Sequence, residues 1–283
     1  MSNYQFAALL GSRGVIAVGG KDRVHFLQGL VTNNVTKLAP GKPLYSALLT
    51  PQGKLMHDFF MIDAGERILL DIARDQVPAL VKRLTMYKLR ADVTITDVSD
   101  DFVIAAFWGT VRRGEQTGET TVYRDPRLDA LGLRAIAPKG TTFEDRETTW
   151  ESEADYRTHR LSLGIAEAEE ICKDPLYPLE ANFEPLHGVD FKKGCYVGQE
   201  LTARMKLRAG IRKRIFPLTF DTAPPAPGAA ITDGERDIAT LLAVEGARGL
   251  ALVRLDRLAA AEGRALTCDG QPVKIYSPEW LGS

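Results

Sequence analysis

The sequence predicts an α+β protein of roughly two domains, with a compact β-barrel or sandwich at its C-terminal end. Three observations predict this class. Two apolar runs, at 44–50 and 55–62, flank a turn-type segment and indicate a β-hairpin. Apolar residues recur at helical spacing over 75–87. Short strand-like runs follow the proline-rich segment 223–228.

The N-terminal 90 residues predict strands that alternate with short helices. In chain order, the predicted elements are a strand at 14–20, a helix at 21–29, a loop or cap at 32–34, the two hairpin strands, a strand at 67–72 and a helix at 75–87. The next part of the chain, from 91 to about 150, carries short apolar runs separated by polar segments. This pattern predicts a small separate α+β unit.

The remaining elements are a helix and a set of short strands. Gly164 ends the predicted helix 155–163, since glycine is the usual residue just after a helix. Residues 174–190 are rich in proline and glycine and predict an ordered loop. The predicted C-terminal strands are 238–244, 249–255 and 273–276.

Composition excludes several classes of protein. Of the 283 residues, 45% are hydrophobic and 26% are charged, which excludes a largely disordered chain. The net charge of -1 argues against general nucleic-acid binding. The three cysteines are far apart and the four histidines lack ligand spacing, so we expect neither a disulfide framework nor a metal site. The N-terminal segment lacks signal-peptide features, and we expect a cytoplasmic protein without a membrane span.

The most informative segment surrounds Cys195. Gly194 and Gly198 bracket a Cys-Tyr pair, and glycine permits tight turns and close approach of a ligand. Helix-forming residues follow, so backbone amides together with Lys192 and Lys193 favour a thiolate. A thiolate can act as a nucleophile, a redox sensor or a metal ligand. A buried, inert cysteine explains the same residues equally well.

The run Lys193-Gly194-Cys195-Tyr196-Val197-Gly198-Gln199-Glu200 resembles the signature of the YgfZ-type folate-binding family, which is related to the T-protein (aminomethyltransferase) of the glycine cleavage system. Its continuation, 201–204, resembles the mitochondrial iron–sulfur assembly members and their bacterial relatives. Four further segments are similar to the family's N-terminal region, hairpin, pre-signature loop and barrel: 26–35, 48–54, 178–182 and 249–254.

The resemblance implies a T-protein-like ring of three domains around a central channel that holds tetrahydrofolate, with a C-terminal β-barrel. The implied boundaries place the folate-binding domain at 1–90, completed by the signature segment at 160–205. A small ferredoxin-like α+β domain takes 91–155, and the barrel takes 210–283.

The resemblance also implies the site residues, with Cys195 and Asp58 in the catalytic positions. His57 and Asp58 match an Asp-Asp pair of the T-protein, whose second member lies over the folate. Asp58 alternatively serves only to hydrogen-bond the hairpin. The residues implied to contact folate are Arg13, Asn33, Asp58, Arg160, Lys193, Gly194, Cys195, Tyr196, Gly198, Gln199 and Glu200. Arg13 and Arg160 stand where bacterial members carry aromatic residues.

The function implied is that of an accessory protein that binds tetrahydrofolate and helps to assemble or repair 4Fe–4S clusters in client enzymes, including tRNA-modifying ones. Its partners would be iron–sulfur assembly proteins and 4Fe–4S clients, without direct nucleic-acid binding. The alternative is a folate-dependent aminomethyltransferase, supported by the carboxylate of Asp58. A folate-independent scaffold is the third possibility.

Overall fold

The computed structural model describes residues 5–109, 120–143 and 148–282. The strands are β1 Gln5–Leu9, β2 Arg13–Gly19, β3 Leu44–Leu49, β4 Leu55–Ala64, β5 Arg67–Ala73, β6 Thr94–Asp97, β7 Phe102–Gly109, β8 Thr121–Arg124, β9 Leu133–Pro138, β10 Thr148–Trp150, β11 Lys213–Phe220, β12 Ala230–Thr232, β13 Asp237–Glu245, β14 Arg248–Arg254, β15 Leu266–Cys268 and β16 Gln271–Ile275. The α-helices are α1 Arg23–Gln28, α2 Val77–Lys88, α3 Glu153–Ser162, α4 Ala168–Ile171, α5 Gln199–Arg204 and α6 Leu255–Ala260.

The chain divides into two compact units. Unit 1 comprises Met1–Tyr156 and Leu186–Gln199, and unit 2 comprises Arg157–Pro185 and Glu200–Ser283. Among the described residues, no helix is both long enough and apolar enough to cross a bilayer.

Unit 1 contains two five-stranded sheets. The first has the strand order β10-β1-β7-β9-β8, and the second has the order β3-β4-β5-β2-β6. Alternation along β4 divides its side chains between the two faces of the second sheet. Phe59 and Met61 join a buried apolar cluster with Leu80 and Leu84 of α2. Asp58 and Phe60 therefore lie on the opposite face.

Unit 2 is built around a closed β-barrel with the strand order β11-β14-β13-β12-β15-β16. The barrel closes because β11 pairs with β14 on one side and with β16 on the other. Its interior is apolar and includes Ile231, Leu241, Ala251, Val253 and Cys268. Of the two arrangements left open by the sequence, the structure is a barrel and not a sandwich.

Strand pairing in unit 1 extends across the predicted domain boundary near residue 90. β1 pairs with β7, and β6 pairs with β2, so each sheet combines strands from both sides of that position. Local sequence patterns predict where a strand lies, but its partner is decided by packing across the chain. The predicted domain boundaries therefore stay a prediction.

Candidate functional site

The cysteine of the signature is exposed on a loop of unit 1. We call residues 190–199 the signature loop. Within the loop, Gln199 accepts a hydrogen bond from the Tyr196 amide at 3.0 Å through its side-chain oxygen, and Val197 packs against the apolar cluster of unit 1. An exposed thiol is available to reagents, metal ions and partner proteins, in contrast to the inert buried cysteine that the sequence also permitted.

Lys193 fastens the signature loop to the neighbouring segment 31–34. Its ammonium donates to the carbonyl oxygens of Val31 and Asn33, the second at 2.7 Å, and lies 5.0 Å from the centroid of the Tyr196 ring. Burial lowers the pKa of Lys193 to about 8, against the opposing charge of Asp190. The Lys193 side chain is thus engaged within the protein, and its predicted contact with folate stays a prediction.

Segment 31–34 is held in place by β3 and by residues just before the signature loop. The Asn33 amide nitrogen donates to the carbonyl oxygens of Tyr45 and His187, at 2.7 Å each. The Thr32 hydroxyl donates to the Gly188 carbonyl at 2.6 Å and accepts from the Ala47 amide at 2.9 Å. Both N–H donors of the Asn33 side-chain amide are therefore used within the protein, where they hold segment 31–34 in place.

Gly198 brings the signature loop against the turn of the β3–β4 hairpin. Its φ is +79°, and a Cβ at this position would lie 2.4 Å from the Thr50 carbonyl oxygen and 2.9 Å from the Leu49 side chain. Only glycine combines this backbone conformation with such a close approach. At Gly194, by contrast, an added Cβ would meet no atom within 4 Å.

The two hairpin residues matched to the T-protein carboxylates point to opposite sides of β4. Asp58 is 1% exposed, and one of its carboxylate oxygens accepts a hydrogen bond from the Tyr45 hydroxyl at 3.0 Å. The Nδ1 atom of His57 lies 2.8 Å from the side-chain oxygen of Gln76. Burial lowers the pKa of His57, which favours the neutral ring. Cys195 and Asp58 thus lie in different surroundings, one exposed and the other buried.

Arg13 belongs to a buried ionic network between the two sheets of unit 1. Its Nε donates to Asp71 at 2.7 Å, and Arg134 donates to the other carboxylate oxygen of Asp71 at 2.7 Å. Tyr123 donates to the same oxygen at 3.2 Å. Burial acts to raise the pKa of Asp71, but the two arginines outweigh it and hold the pKa below its ordinary value. The network joins β2 and β5 to β8 and β9.

A second buried ion pair, between Arg127 and Asp125, lies beside this network. Both carboxylate oxygens of Asp125 accept from the guanidinium, at 3.0 and 2.8 Å. The guanidinium carbons of Arg127, Arg134 and Arg13 lie 4.7, 4.5 and 5.7 Å from the centroid of the Phe60 ring. Asp125, Arg127 and Arg134 were not among the residues predicted from the sequence. The triplet Asp125-Pro126-Arg127, directly after the strand Thr121–Arg124, was the available signal.

The last two predicted folate contacts belong to unit 2. Arg160 is 3% exposed and donates to Glu170 at 3.0 Å and to the Ile165 carbonyl at 2.7 Å. Burial acts to lower the pKa of Arg160, but Glu170 and Glu167 raise it above its ordinary value. Glu200 is exposed at the start of the second segment of unit 2. Arg160 is therefore committed to a structural network of α3 and α4.

A metal site would require several His, Cys, Asp or Glu side chains close together. Within 5–109, 120–143 and 148–282, no group of three or more His, Cys, Asp and Glu side chains is placed to hold a metal ion. The chemistry available at the signature loop is therefore that of a single exposed thiol beside a fixed lysine.

Comparison with known families identifies both ends of the chain. Residues 11–113 match the family described as the GCVT N-terminal domain, and residues 212–283 match the one described as the CAF17 C-terminal beta-barrel domain. The solved structure of glycine cleavage system aminomethyltransferase T from Bartonella henselae superimposes with a TM-score of 0.77, covering 98% of this chain and 86% of that one at 17% identity. The predicted T-protein-like α+β fold with a C-terminal β-barrel is confirmed.

The chain is similar to iron–sulfur cluster assembly factor IBA57, mitochondrial, of Mus musculus. The two are 32% identical over 312 residues, which cover 96% of this chain and 84% of the mouse protein. The IBA57 homolog of Mycosarcoma maydis is 36% identical over 236 residues, or 78% of this chain and 59% of that protein. The chain spans a little over half the length of this and two further fungal relatives.

These relatives correct one prediction and narrow another. The predicted cytoplasmic location is wrong, because the relatives are named as mitochondrial proteins. Scattered cysteines indicate a compartment that keeps thiols reduced, and that signal does not distinguish the cytosol from another reducing compartment. The iron–sulfur branch of the resemblance is supported by the relatives' names, whereas assignment to the YgfZ type in particular stays a prediction.

Proposed function

Because the chain belongs to the IBA57 family of iron–sulfur cluster assembly factors, we propose that it assists the assembly or repair of iron–sulfur clusters, and of 4Fe–4S clusters in particular. The observation that carries this proposal is the exposed thiol of Cys195 on a loop held by Lys193 on one side and Gly198 on the other. A thiolate is a soft ligand suited to iron. A fixed and accessible cysteine side chain can contact a cluster held by another protein.

The proposal assigns the chain an accessory role. Iron–sulfur clusters normally take four cysteine ligands, so the single thiol of the signature loop cannot hold one alone. The remaining ligands would come from a partner or from a small thiol. The partners we propose are iron–sulfur assembly proteins, which would supply the cluster, and 4Fe–4S client enzymes, which would receive it; tRNA-modifying enzymes are one such class of client.

Tetrahydrofolate is the finer part of the expectation, and the side chains do not fit it as the resemblance implies. Both side-chain N–H donors of Asn33 and two of the three N–H donors of Lys193 go to carbonyl oxygens of the protein, and Arg13 is bound to Asp71. Asp58 is buried and accepts from Tyr45. Folate contact would require these groups to give up internal hydrogen bonds, at a cost that each new contact must offset. No step of the proposed function depends on folate.

The aminomethyltransferase alternative depended on Asp58 as a carboxylate that reaches a bound ligand. A general acid or base must lie within hydrogen-bond reach of the reacting group. Since Asp58 is 1% exposed and engaged by Tyr45, its position does not favour this activity. We therefore propose the accessory role alone.

The proposed function is tested in cells that depend on this chain, by comparing Cys195→Ala with Cys172→Ala. We expect Cys195→Ala to lower the activity of 4Fe–4S enzymes while 2Fe–2S enzymes keep theirs, and Cys172→Ala to behave as the wild type. The Cys172 variant controls for loss of any thiol, because that side chain is only partly exposed. Full 4Fe–4S activity with Cys195→Ala at wild-type protein levels would contradict the proposal.

The folate question is answered separately by calorimetry with tetrahydrofolate on the purified protein. Heat that saturates at micromolar ligand would show that the protein binds tetrahydrofolate. An Asp58→Asn variant then shows whether that carboxylate takes part. The absence of heat at millimolar ligand supports an accessory role without folate.

A further inference from the structure

We infer that Lys193 is a positioning residue for Cys195: its ammonium fixes the signature loop onto segment 31–34 and so sets where the exposed thiol stands. The functional meaning of this position rests on the proposed function. The structural claim does not, because it concerns only how the loop is held. The inference replaces the two roles that the sequence suggested for this lysine, which were contact with folate and electrostatic activation of the thiol.

The ammonium group of Lys193 lies among carbonyl oxygens and an aromatic ring. An ammonium has three N–H donors and no acceptor. Two carbonyl oxygens, those of Val31 and Asn33, accept from Lys193, and the face of the Tyr196 ring lies 5.0 Å from Nζ. Lysine is rarely buried unless it is paired. A lysine that is half-buried among carbonyl oxygens and a ring is engaged in holding the chain.

The carbonyl groups that accept hydrogen bonds from Lys193 belong to a segment that is itself held in place. The backbone of Thr32 donates to the Ala47 carbonyl of β3 at 2.9 Å, and the Asn33 side chain donates to that of Tyr45 at 2.7 Å. Segment 31–34 thus moves with the second sheet of unit 1. A lysine tied to this segment transfers the rigidity of the sheet to the loop two residues before Cys195.

The neighbouring contacts leave the part of the loop just before Cys195 dependent on Lys193. The Asp190 amide donates to the Thr32 carbonyl at 3.1 Å, and the Asp190 carboxylate pairs with Lys37 at 2.7 Å. Gly198 is held against the hairpin turn. These contacts fix the two ends of the loop. Between them, a Cβ added at Gly194 would meet no atom within 4 Å and Cys195 is exposed, so the Lys193 side chain is the nearest anchor on the N-terminal side of the thiol.

The chain offers a matched control in the adjacent residue. Lys192 carries the same charge one position earlier, is exposed, and donates to Asp190 through its backbone amide at 2.8 Å. Methionine keeps most of the length of lysine but has no donor. A comparison of Lys193→Met with Lys192→Met therefore separates the anchoring contacts from the effect of losing one positive charge near Cys195.

The experiment measures backbone hydrogen exchange in peptides that span 192–199, with peptides of α2 as an internal reference. We expect exchange in 192–199 to be at least about tenfold faster in Lys193→Met and unchanged in Lys192→Met, with α2 unchanged in both. Lys193→Arg, which keeps the charge, the donors and the capacity to lie over Tyr196, should return exchange to within about threefold of the wild type. If Lys193→Met fails to fold, Lys193→Gln is measured in its place.

Equal exchange in Lys193→Met and the wild type would overturn the inference, as would equal acceleration by Lys192→Met or a failure of Lys193→Arg to restore protection. The support of 4Fe–4S enzymes is measured in the same variants. Failure of the proposed function appears as full support by Cys195→Ala, whatever the exchange result. Failure of the inference appears in the exchange data alone, so the two outcomes are distinguishable.

Discussion

Replacing Gly198 by alanine is expected to destabilise unit 1, because the signature loop meets the hairpin turn at this residue. A Cβ here would lie 2.4 Å from the Thr50 carbonyl oxygen and 2.9 Å from the Leu49 Cβ. Both atoms belong to a tight hairpin with little freedom to retreat. The φ of +79° is also unfavourable for any residue with a side chain.

The magnitude follows from these two terms. A left-handed conformation costs an alanine about 1 kcal/mol. Forcing a methyl group into a packed site costs a further 1–3 kcal/mol or so, as the surroundings shift to make room. The expected loss in the free energy of unfolding is therefore about 2–4 kcal/mol. With a urea m-value of about 3 kcal/mol/M, the unfolding midpoint falls by roughly 1 M.

The assay is urea unfolding followed by tryptophan fluorescence in a Trp280→Phe background, so that the signal comes from Trp108 and Trp150 of unit 1. The control is Gly194→Ala, since an added Cβ there meets no atom within 4 Å and its φ lies outside the left-handed region. We expect Gly194→Ala to unfold at the wild-type midpoint. Equal midpoints for Gly194→Ala and Gly198→Ala would refute the reasoning.

Three further predictions follow from buried or exposed groups. Since burial lowers the pKa of His57 below its ordinary value of 6.5, the contribution of His57 to the free energy of unfolding should be constant above about pH 6.5 and fall as the pH drops further, and His57→Gln should flatten the acid side of the pH dependence in titrations. Asp71→Asn should cost about 3–5 kcal/mol in urea unfolding, because it leaves two buried arginines without their carboxylate; Asp100→Asn, in an exposed pair, should change nothing measurable. In the native protein, mass spectrometry should find Cys195 alkylated at least about tenfold faster than Cys268, which is buried and has a raised pKa, and similar rates would contradict the described exposures.

The sequence by itself determined the location of most elements and of the signature loop. Strands β2 to β5, helix α2 and the barrel strands β13 and β14 lie where local apolar periodicity predicted them. The signature around Cys195 was recognisable because a glycine-bracketed motif is contiguous in the chain. The close approach at Gly198 was anticipated from the sequence, since glycine permits backbone conformations and close contacts that other residues do not.

Only the tertiary structure decided what the polar side chains bind. Arg13 was predicted to meet folate, and it pairs with Asp71, which is 58 residues away in sequence. Lys193 was predicted to serve the ligand or the thiol, and it holds carbonyl oxygens about 160 residues away. A long charged side chain carries no local signal of its partner. Its partner is whichever buried group would otherwise stay unsatisfied, and that is known only once the strands and loops are in place.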